Sequence, residues 1–492
     1  MRLYLHGHDY KYAAEQMMLS LYPAERPEYP DGRPEGDRVE LRLSHGTSFI
    51  TASCKLVSNG SVYHGRSAVR ADSITDDISR DKLCSRIIKN AFYRAALNSG
   101  HAKPAWGALT GVRPGKLFCQ LMESSDSDTA LRRFITEYDV SIERAELCRD
   151  TSLVTSRVRE SLGEKDVCLY VGIPFCPTRC SYCSFVSQSV EKSMKLIPPF
   201  LDALMQELDA AAEAVNKLGL SVISLYMGGG TPTTLSPEQL DMLCSRLEDR
   251  FDLSRLREYT VEAGRPDTVT EAKLRVMKSH GVDRVSVNPQ TMCDGVLEAI
   301  GRRHSEQDIY DALEKVRSVG GMAVNMDLIA GLPTDTVEGF ADTLDKVTAL
   351  EPENITVHTL SLKKGSRITL EGSALPAPAE VGRMLDIAGY KLRNNGYFPY
   401  YLYRQKFMSG GFENVGWAKE GFINLYNVCI MEELCSIIAL GGGGSTKLAN
   451  RDGGRSIRLF APKYPAEYIA GIEKTCGDKQ SIISFYKDKE IE

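Results

Sequence analysis

The chain has 492 residues, of which 42% are hydrophobic and 25% are charged, and this ordinary globular composition excludes a disordered or fibrous protein. At about 150 residues per domain, the length predicts two to four domains. The net charge of −5 gives no positive field that would recruit nucleic acid or anionic lipid. No apolar run reaches the roughly 20 residues of a membrane span, and the first residues lack a signal-peptide core. We therefore expect a cytoplasmic protein without nucleic-acid partners or a membrane span.

Residues 1–160 are expected to form a separate α+β domain, whose role the sequence does not indicate. RLYLHG has the pattern of a strand, and YKYAAEQMMLSLY has apolar residues at helical spacing. RVELRLS and SFITASCKLV alternate as strands do. From Asp77 to Asn98 the pattern becomes helical.

From about Val167, strand and helix patterns alternate six times, from the strand VCLYVGIPF to the strand NITVHTLSL and the helix AEVGRMLDIAGYKLRNNG. Residues 161–375 are expected to form the domain built from this alternation. Strands separated by helices predict right-handed crossovers and a parallel sheet. Because a closed barrel needs eight such units, six predict a partial, TIM-like (β/α)6 barrel. Residues 376–492 form a looser C-terminal extension, in which four consecutive glycines predict a turn that approaches a ligand closely.

The thirteen cysteines are an odd number in a large chain, which argues against a disulfide scaffold. Cys176, Cys180 and Cys183 follow the first strand of the repeats, and thiolates at this spacing can converge on one metal centre. Structural zinc normally takes four ligands, and iron–sulfur clusters usually take four cysteines. In an iron–sulfur cluster held by only these three cysteines, one iron therefore stays open to a substrate or cofactor. Five further cysteines are expected to be dispensable small core residues: Cys244, Cys293, Cys429, Cys435 and Cys476.

Polar and glycine residues recur where the later strands end, and in a parallel sheet such positions share one face. The segment GGGTPT follows the second strand and allows close backbone approach. Glu262 ends the third strand, Gln290 follows the fourth with Arg302 shortly after, and Asp327 lies near the end of the fifth. Together they suit a zwitterionic cofactor with hydroxyls and an amine, although a tight turn and helix-capping carboxylates are alternatives.

Four motifs, YVGIPFCPTRCSYCSF, YMGGGTPT, SVNPQT and NMDLIAGLP, resemble the oxygen-independent coproporphyrinogen III oxidase family of the radical S-adenosylmethionine (SAM) superfamily. The resemblance covers roughly residues 167–361. LTGVRPGKL and YRQKFMSGGFENVGWAKEG further resemble the coproporphyrinogen dehydrogenase, or HemZ-type, branch. The resemblance implies that the partial barrel is a radical SAM barrel.

The resemblance also implies roles for individual residues. Cys176, Cys180 and Cys183 would hold a 4Fe–4S cluster, whose open iron SAM would chelate through its amine and carboxylate. With Tyr170, these cysteines form the expected catalytic set. The residues expected around SAM are Tyr170, Tyr182, Gly229, Gly230, Thr231, Glu262, Gln290, Arg302, Asp327 and Ser361.

The implied reaction is oxidative decarboxylation of a tetrapyrrole in haem biosynthesis. A 5′-deoxyadenosyl radical takes a hydrogen from the β-carbon of a propionate, and loss of carbon dioxide and one electron leaves a vinyl group. Two such events turn coproporphyrinogen III into protoporphyrinogen IX. An electron donor of flavodoxin or ferredoxin type and an electron acceptor are implied partners. Arg404 is a candidate clamp for a substrate propionate, because a guanidinium binds a carboxylate at two points.

Two departures from the family pattern keep other functions open. Phe185 stands where the well-studied oxidase branch has a further cysteine, and the haem-chaperone branch shares this phenylalanine. That branch also has an HNxxYW-like motif, whereas this chain has Tyr426-Asn427-Val428-Cys429 and no histidine beyond His358. A haem-binding or haem-trafficking protein, or a radical SAM enzyme such as a methyltransferase acting on another substrate, are the alternatives.

Overall fold

The computed structural model describes residues 1–183, 188–189, 193–361, 368, 374–405, 409–450 and 456–489. The chain divides into two compact units, of which one comprises Met1–Arg149 with Arg404–Phe412 and the other Asp150–Tyr403 with Glu413–Glu492. Within the described part of the chain, no helix is both long enough and apolar enough to cross a bilayer.

The first unit has a four-stranded sheet covered by helices. Its strands are β1 (Arg2–His6), β2 (Arg38–His45), β3 (Phe49–Ser58) and β4 (Ser61–Arg70). Its helices are α1 (Lys11–Leu21), α2 (Asp77–Asn98), α3 (Pro114–Glu123), α4 (Ser127–Tyr138) and the first part of α5 (Ile142–Ser161). The sheet has the order β1-β2-β3-β4, with β1 parallel to β2 and the other pairs antiparallel.

Alternating burial explains this α+β arrangement. Val39 and Leu41 of β2 point to the same face of the sheet and pack in one core with Met17 of α1 and Phe92 of α2. The polar residues between them face away from that core, as the period of two requires. The α+β fold predicted for this region is therefore confirmed.

The second unit contains an eleven-stranded sheet and one two-stranded pair. Its strands are β5 (Asp166–Ile173), β6 (Phe175–Cys176), β7 (Gln188–Ser189), β8 (Ser221–Gly229), β9 (Glu258–Glu262), β10 (Arg284–Ser286), β11 (Ala323–Ala330), β12 (Asn354–Thr359), β13 (Phe398–Arg404), β14 (Glu413–Ala418), β15 (Ser436–Gly441), β16 (Ser445–Ala449) and β17 (Ser456–Phe460). The large sheet has the order β13-β14-β12-β11-β10-β9-β8-β5-β15-β16-β17.

Helices separate the parallel strands β5 and β8–β12 of this sheet along the chain, and further helices lie in the C-terminal region. They are α6 (Ile197–Leu218), α7 (Pro237–Arg250), α8 (Glu271–Ser279), α9 (Asp294–Ala299), α10 (Glu306–Val319), α11 (Val337–Ala349), α12 (Pro378–Asn394), α13 (Leu425–Glu432), α14 (Pro465–Ala470), α15 (Ile472–Asp478) and α16 (Gln480–Lys489). Ser236 caps α7 and exchanges hydrogen bonds with Gln239 in a capping box, which satisfies amides that would otherwise have no partner.

The six strands predicted for the repeats, β5 and β8–β12, are consecutive neighbours in the sheet and pair in parallel. This confirms the α/β fold class. Five strands of the C-terminal region, β13–β17, extend the sheet beyond the six. Of these, β14 pairs antiparallel with β12 and β15 pairs parallel with β5.

The run of four glycines begins in β15 and forms the turn before β16. A Cβ on Gly441 would lie 2.2 Å from the carbonyl oxygen of Gly172 in β5, so only glycine allows this approach. The close approach expected there is therefore one between the backbones of neighbouring strands.

Candidate functional site

The cysteine loop begins where β5 ends. Cys176 lies in β6, which pairs with β7. Cys180 is buried, whereas Cys176 and Cys183 are half-buried. Ser181 fastens the loop to the end of α9, since both its amide and its hydroxyl donate to the carbonyl oxygen of Ile300, at 3.0 and 3.1 Å. The three thiols thus sit on one anchored segment at the carboxyl end of the first parallel strand.

Two of these thiols accept hydrogen bonds from other loops. Thr231 Oγ1 lies 3.6 Å from Cys176 Sγ. Arg265 Nη1 lies 3.7 Å from Cys180 Sγ and 3.0 Å from Thr178 Oγ1. The Arg265 side chain is only 3% exposed and pairs with Asp267, with an Nε to Oδ1 distance of 3.2 Å. Donors of this kind stabilise negative charge on a metal-bound sulfur.

The contact between Arg265 and Cys180 leads to a prediction about the reduction potential of the cluster, which can be measured without an activity assay. Replacing it with glutamine is expected to lower the reduction potential of an iron–sulfur cluster on the loop, because the reduced cluster loses a charge-assisted donor. Such a donor contributes about 1.5–3 kcal/mol, which corresponds to a shift of about 65–130 mV for one electron. A redox titration followed by electron paramagnetic resonance would measure it.

Arg265→Lys should restore part of the potential because it keeps the charge. The exposed Arg275 supplies the matched control, since it pairs only with Glu271 among the contacts of the described residues. Equal potentials for Arg265→Gln and Arg275→Gln would contradict the assignment.

The glycine segment lies beside the cysteine loop at the end of β8, whose last two residues are Gly228 and Gly229. A Cβ on Gly230 would lie 2.4 Å from the carbonyl oxygen of Phe175 and 2.8 Å from its amide nitrogen. One on Gly228 would lie 2.8 Å from Glu262 Oε2. No larger residue fits at either position without displacing its neighbours. The glycine segment therefore presents its backbone, and not side chains, at the carboxyl ends of the strands.

Glu262, the last residue of β9, is held by two donors. Tyr226 Oη donates to Oε1 at 2.7 Å and the Gly229 amide donates to Oε2 at 3.2 Å. Burial raises the pKa of the Glu262 carboxyl to about 7, and the negative charge of Asp327 adds to the increase while both donors oppose it. The carboxyl can therefore exchange a proton near neutral pH.

This pKa predicts how the stability of the protein without cofactor depends on pH. The folded pKa of Glu262 lies above its ordinary value of 4.5, so the folded state binds the proton more tightly than the unfolded state does. Its stabilising contribution is present below about pH 4.5 and is lost as the pH rises toward 7. Glu262→Gln should remove this loss and gain relative stability, up to about 3 kcal/mol, across that window.

Urea unfolding of both proteins between pH 4.5 and 8 would measure the difference. Glu298→Gln is the matched control, because Glu298 is an exposed residue of α9. If the Glu262→Gln and parent stabilities stay parallel over this range, the raised pKa is wrong.

Asp327 in β11 lies next to Gln290 and Asn288. Gln290 has a φ of +68°, and its amide donates to the Asp327 carbonyl at 2.9 Å. Asn288 Oδ1 accepts from the Asp327 amide at 3.2 Å. Burial disfavours the ionised Asp327, yet hydrogen bonding and the charge of His358, whose Nε2 is 3.8 Å from Oδ2, bring its pKa below the ordinary value. Asp327 is thus an ionised carboxylate beside the more readily protonated Glu262.

Arg302 joins this group to the cysteine loop. Its Nη2 and Nε donate to Tyr182 Oη at 3.1 and 3.3 Å, and Nη1 donates to the carbonyl oxygen of Asn288 at 2.8 Å. The guanidinium is buried and also interacts electrostatically with Cys180. Arg302 thus links Tyr182 of the cysteine loop to Asn288, which lies in the segment after β10.

Three tyrosines form a stack beside Glu262. The ring centroids of Tyr226 and Tyr426 are 4.5 Å apart, and that of Tyr170 is 6.0 Å from Tyr426 and 6.3 Å from Tyr226. Burial raises the pKa of all three hydroxyls, so each stays protonated and is a donor at neutral pH. Tyr426, from the position where a chaperone-type motif would begin, is part of this stack.

The structure thus brings most of the expected site residues into one connected group. Thr231 touches Cys176, Gly229 binds Glu262, and Asp327 connects to Gln290. Ser361 lies two residues beyond the end of β12, and its buried Oγ has no hydrogen-bond partner among the described residues. The individual roles expected for these residues stay predictions. Phe185 lies outside the described residues.

Arg404 has a different environment from the one expected. Its guanidinium donates to the carbonyl oxygens of Leu109 at 2.6 Å and Gly411 at 2.8 Å, and it lies 5.1 Å from the centroid of the Trp106 ring. These contacts within the first unit occupy donors that a propionate clamp would need. The structure therefore does not support Arg404 as a clamp.

Sequence reasoning missed Arg265, Tyr226 and Tyr426. Arg265 comes three residues after Glu262 in a segment without a distinctive pattern, and its contact with Cys180 spans 85 residues. The two tyrosines resemble ordinary core residues in their own segments. The only available signal was the position of Arg265 and Tyr226 near the ends of predicted parallel strands.

Comparison with known proteins gives the family. The Radical SAM superfamily profile matches residues 170–347. The oxygen-independent coproporphyrinogen-III oxidase-like protein HemZ of Bacillus subtilis is 37% identical over 461 residues, which are 92% of this chain and 91% of that protein. The heme chaperone HemW of Bacillus subtilis is 32% identical over 253 residues, covering 50% of this chain and 64% of that protein.

A solved structure agrees on the fold. Coproporphyrinogen III oxidase (HemN) from Escherichia coli, described as a radical SAM enzyme, matches 66% of this chain and 73% of its own with a TM-score of 0.52 and 23% identity. Members of the superfamily use a 4Fe–4S cluster and SAM. With a relative 37% identical along nearly all of both chains, this protein belongs to the radical SAM superfamily and, within it, to the HemZ-type branch of the oxygen-independent coproporphyrinogen III oxidase family.

Proposed function

We propose that the protein catalyses the oxygen-independent oxidative decarboxylation of coproporphyrinogen III to protoporphyrinogen IX. The observation that carries the proposal is the connected site at the carboxyl ends of the parallel strands, where the cysteine loop, the glycine segment and Glu262 meet. The similarity to the HemZ protein along nearly the whole chain supports the same reaction. The implied partners are the tetrapyrrole, an electron donor of flavodoxin or ferredoxin type and an electron acceptor.

The residues of the site fit a 4Fe–4S cluster with bound SAM. Cys176, Cys180 and Cys183 would hold the cluster, leaving one iron for the SAM amine and carboxylate. The glycine segment is a cradle that side chains would fill, and Ser361 offers a buried hydroxyl that has no partner in the part of the chain that the structure describes. When bound, the cluster and SAM supply the radical chemistry that removes a hydrogen atom from a propionate side chain.

The remaining site residues would hold and shield the cofactor. Glu262 and Asp327 present carboxyl groups suited to an amine and hydroxyls, and Gln290 and Thr231 add neutral polar groups. Arg302 orients Tyr182, and the tyrosine stack that includes Tyr170 closes one side with aromatic rings. Exclusion of water from such a site prevents reactive species from being quenched.

The proposal also assigns a role to each of three regions of the chain. Residues 161–375 would form the radical SAM partial barrel, and residues 376–492 would form an extension on the substrate side. Residues 1–160 would be an accessory α+β domain. The C-terminal strands β14 and β15, which pair with β12 and β5, support an extension joined closely to the barrel.

Anaerobic incubation with SAM, a reductant, an electron acceptor and coproporphyrinogen III tests the proposal after cluster reconstitution. We expect vinyl-containing products by mass spectrometry, and none with the Cys180→Ala variant. Cleavage of SAM without any vinyl product would refute the proposed substrate. A methylated product would instead identify a methyltransferase.

Haem trafficking is the second candidate function, because HemW is 32% identical over half of this chain. Stoichiometric haem titration distinguishes it from catalysis. Tight binding of one haem that depends on the C-terminal segment would support trafficking. Tyr426 is buried and packs in the tyrosine stack, so we expect loose haem binding that does not depend on this segment.

A further inference from the structure

A second group of cysteines meets away from the cysteine loop. Cys168 lies in β5, Cys429 in α13, and Cys435 in the turn between α13 and β15. The three Sγ atoms all lie within 4.8 Å of one another, and those of Cys168 and Cys435 are 3.6 Å apart. All three residues are buried. No sequence pattern connects them, and Cys429 and Cys435 resemble separate small core residues.

We propose that Cys168, Cys429 and Cys435, named here the thiol triad, bind a single soft metal ion of the copper(I) type. Sulfur atoms about 2.3 Å from a metal lie about 4 Å apart when three of them surround it in a plane. The spacing of the triad already approaches this arrangement. Soft thiolate ligands favour copper(I) and zinc over harder ions.

The number of ligands distinguishes these two metals. Zinc in structural sites takes four ligands, and within the described residues no histidine, cysteine, aspartate or glutamate joins the triad as a fourth. Apolar residues surround it, including Val158, Ile223 and Leu434, so water is not at hand to complete a tetrahedron. Copper(I) is satisfied by three sulfurs.

A bound ion also accounts for all three sulfurs better than a disulfide does. A disulfide between Cys168 and Cys435 would leave Cys429 unused, whereas an ion engages each thiol. Each thiol releases its proton as it coordinates, and the ion's positive charge offsets one of the three thiolate charges. The ion would thereby fasten α13 and β15 to β5.

The thiol triad is adjacent in sequence to the tyrosine stack. Cys168 and Tyr170 are two residues apart in β5 and therefore share a face of the strand. Tyr426 and Cys429 are three residues apart in α13 and share a face of the helix. The ion would be a structural one that fixes the backbone carrying two of the stacked tyrosines. This inference does not rest on the proposed decarboxylation.

Copper(I) itself is the probe for the test. The full-length chain with Cys176, Cys180 and Cys183 all changed to alanine provides the background, so that the cysteine loop cannot bind the metal. We expect it to retain one copper(I) per chain under anaerobic competition with a chromogenic chelator. X-ray absorption should show three sulfurs at about 2.3 Å. Further change of Cys429 or Cys435 to alanine should abolish this binding, while Cys244→Ala, at a buried position in α7, should not.

An alkylation experiment tests the proposal even if the alanine variants of the thiol triad do not fold. In the same background without further changes, copper(I) should protect Cys168, Cys429 and Cys435 from alkylation in mild denaturant but leave the rate at Cys244 unchanged. No retention of copper(I), equal retention by the Cys429→Ala and Cys244→Ala chains, or equal alkylation with and without metal would overturn the proposal. Tighter binding of zinc than of copper(I) would overturn the assignment of a three-coordinate ion.

Discussion

Replacing Cys180 with alanine is expected to abolish the iron–sulfur cluster and all SAM cleavage. Cys180 is the most buried of the three loop cysteines, and its sulfur accepts a hydrogen bond from Arg265. The two remaining thiolates, both half-buried, would hold iron poorly. Iron and sulfide content after anaerobic reconstitution measures the loss, together with the visible absorbance of the cluster.

Cys244→Ala is the matched control for this prediction, because Cys244 is equally a buried cysteine but lies in α7, 3.3 Å from Tyr259 Oη. It should retain the full iron content. Far-ultraviolet circular dichroism of both variants checks that the fold is intact. A Cys180→Ala protein with native iron content and native absorbance would refute the ligand assignment.

Replacing Gly230 with alanine is expected to have the second largest effect. The added Cβ would lie 2.4 Å from Phe175 O and 2.9 Å from Ile173 O, and both are backbone atoms that a rotamer change cannot move. The glycine segment must shift away from the cysteine loop, at a cost of about 1–3 kcal/mol in folding free energy. A displacement of about 1 Å in positioning groups can lower turnover on the order of 100-fold, and we expect SAM binding to weaken with it.

Equilibrium dialysis of SAM and urea unfolding measure the two effects. Gly295→Ala is the matched control, because a Cβ there meets no atom within 4 Å and alanine favours the helix α9. This variant should bind SAM normally and be at least as stable as the parent. Unchanged SAM binding by Gly230→Ala would show that the glycine segment does not serve as the cradle.

The parallel strands could be predicted because their signal is local. Each of β5 and β8–β12 is a short apolar run followed by a segment with helical spacing. Strands of a parallel sheet are covered by crossover helices on both faces, and they are therefore apolar along their length. The pairing of β14 with β12 and of β15 with β5 could not be predicted, because it depends on contacts between distant segments. The aromatic sequence of β13 has no period that indicates its partner.

The difference between local signals and contacts of distant segments also applies to the site. Cys176, Cys180 and Cys183 could be predicted because their spacing within one loop carries the signal, and Glu262 and Asp327 because they end predicted strands. Arg265 and the tyrosine stack could not, since each contact joins separate loops. The thiol triad is the extreme case, with Cys168 and Cys435 separated by 267 positions and no pattern in either segment.

The most direct test of the central claim is to count products in one anaerobic reaction. For each molecule of protoporphyrinogen IX formed from coproporphyrinogen III, we expect two molecules of carbon dioxide and two of 5′-deoxyadenosine, because each propionate requires one hydrogen abstraction. Formation of 5′-deoxyadenosine with no decarboxylated tetrapyrrole, while an established oxidase of the family converts the same substrate, would contradict the account.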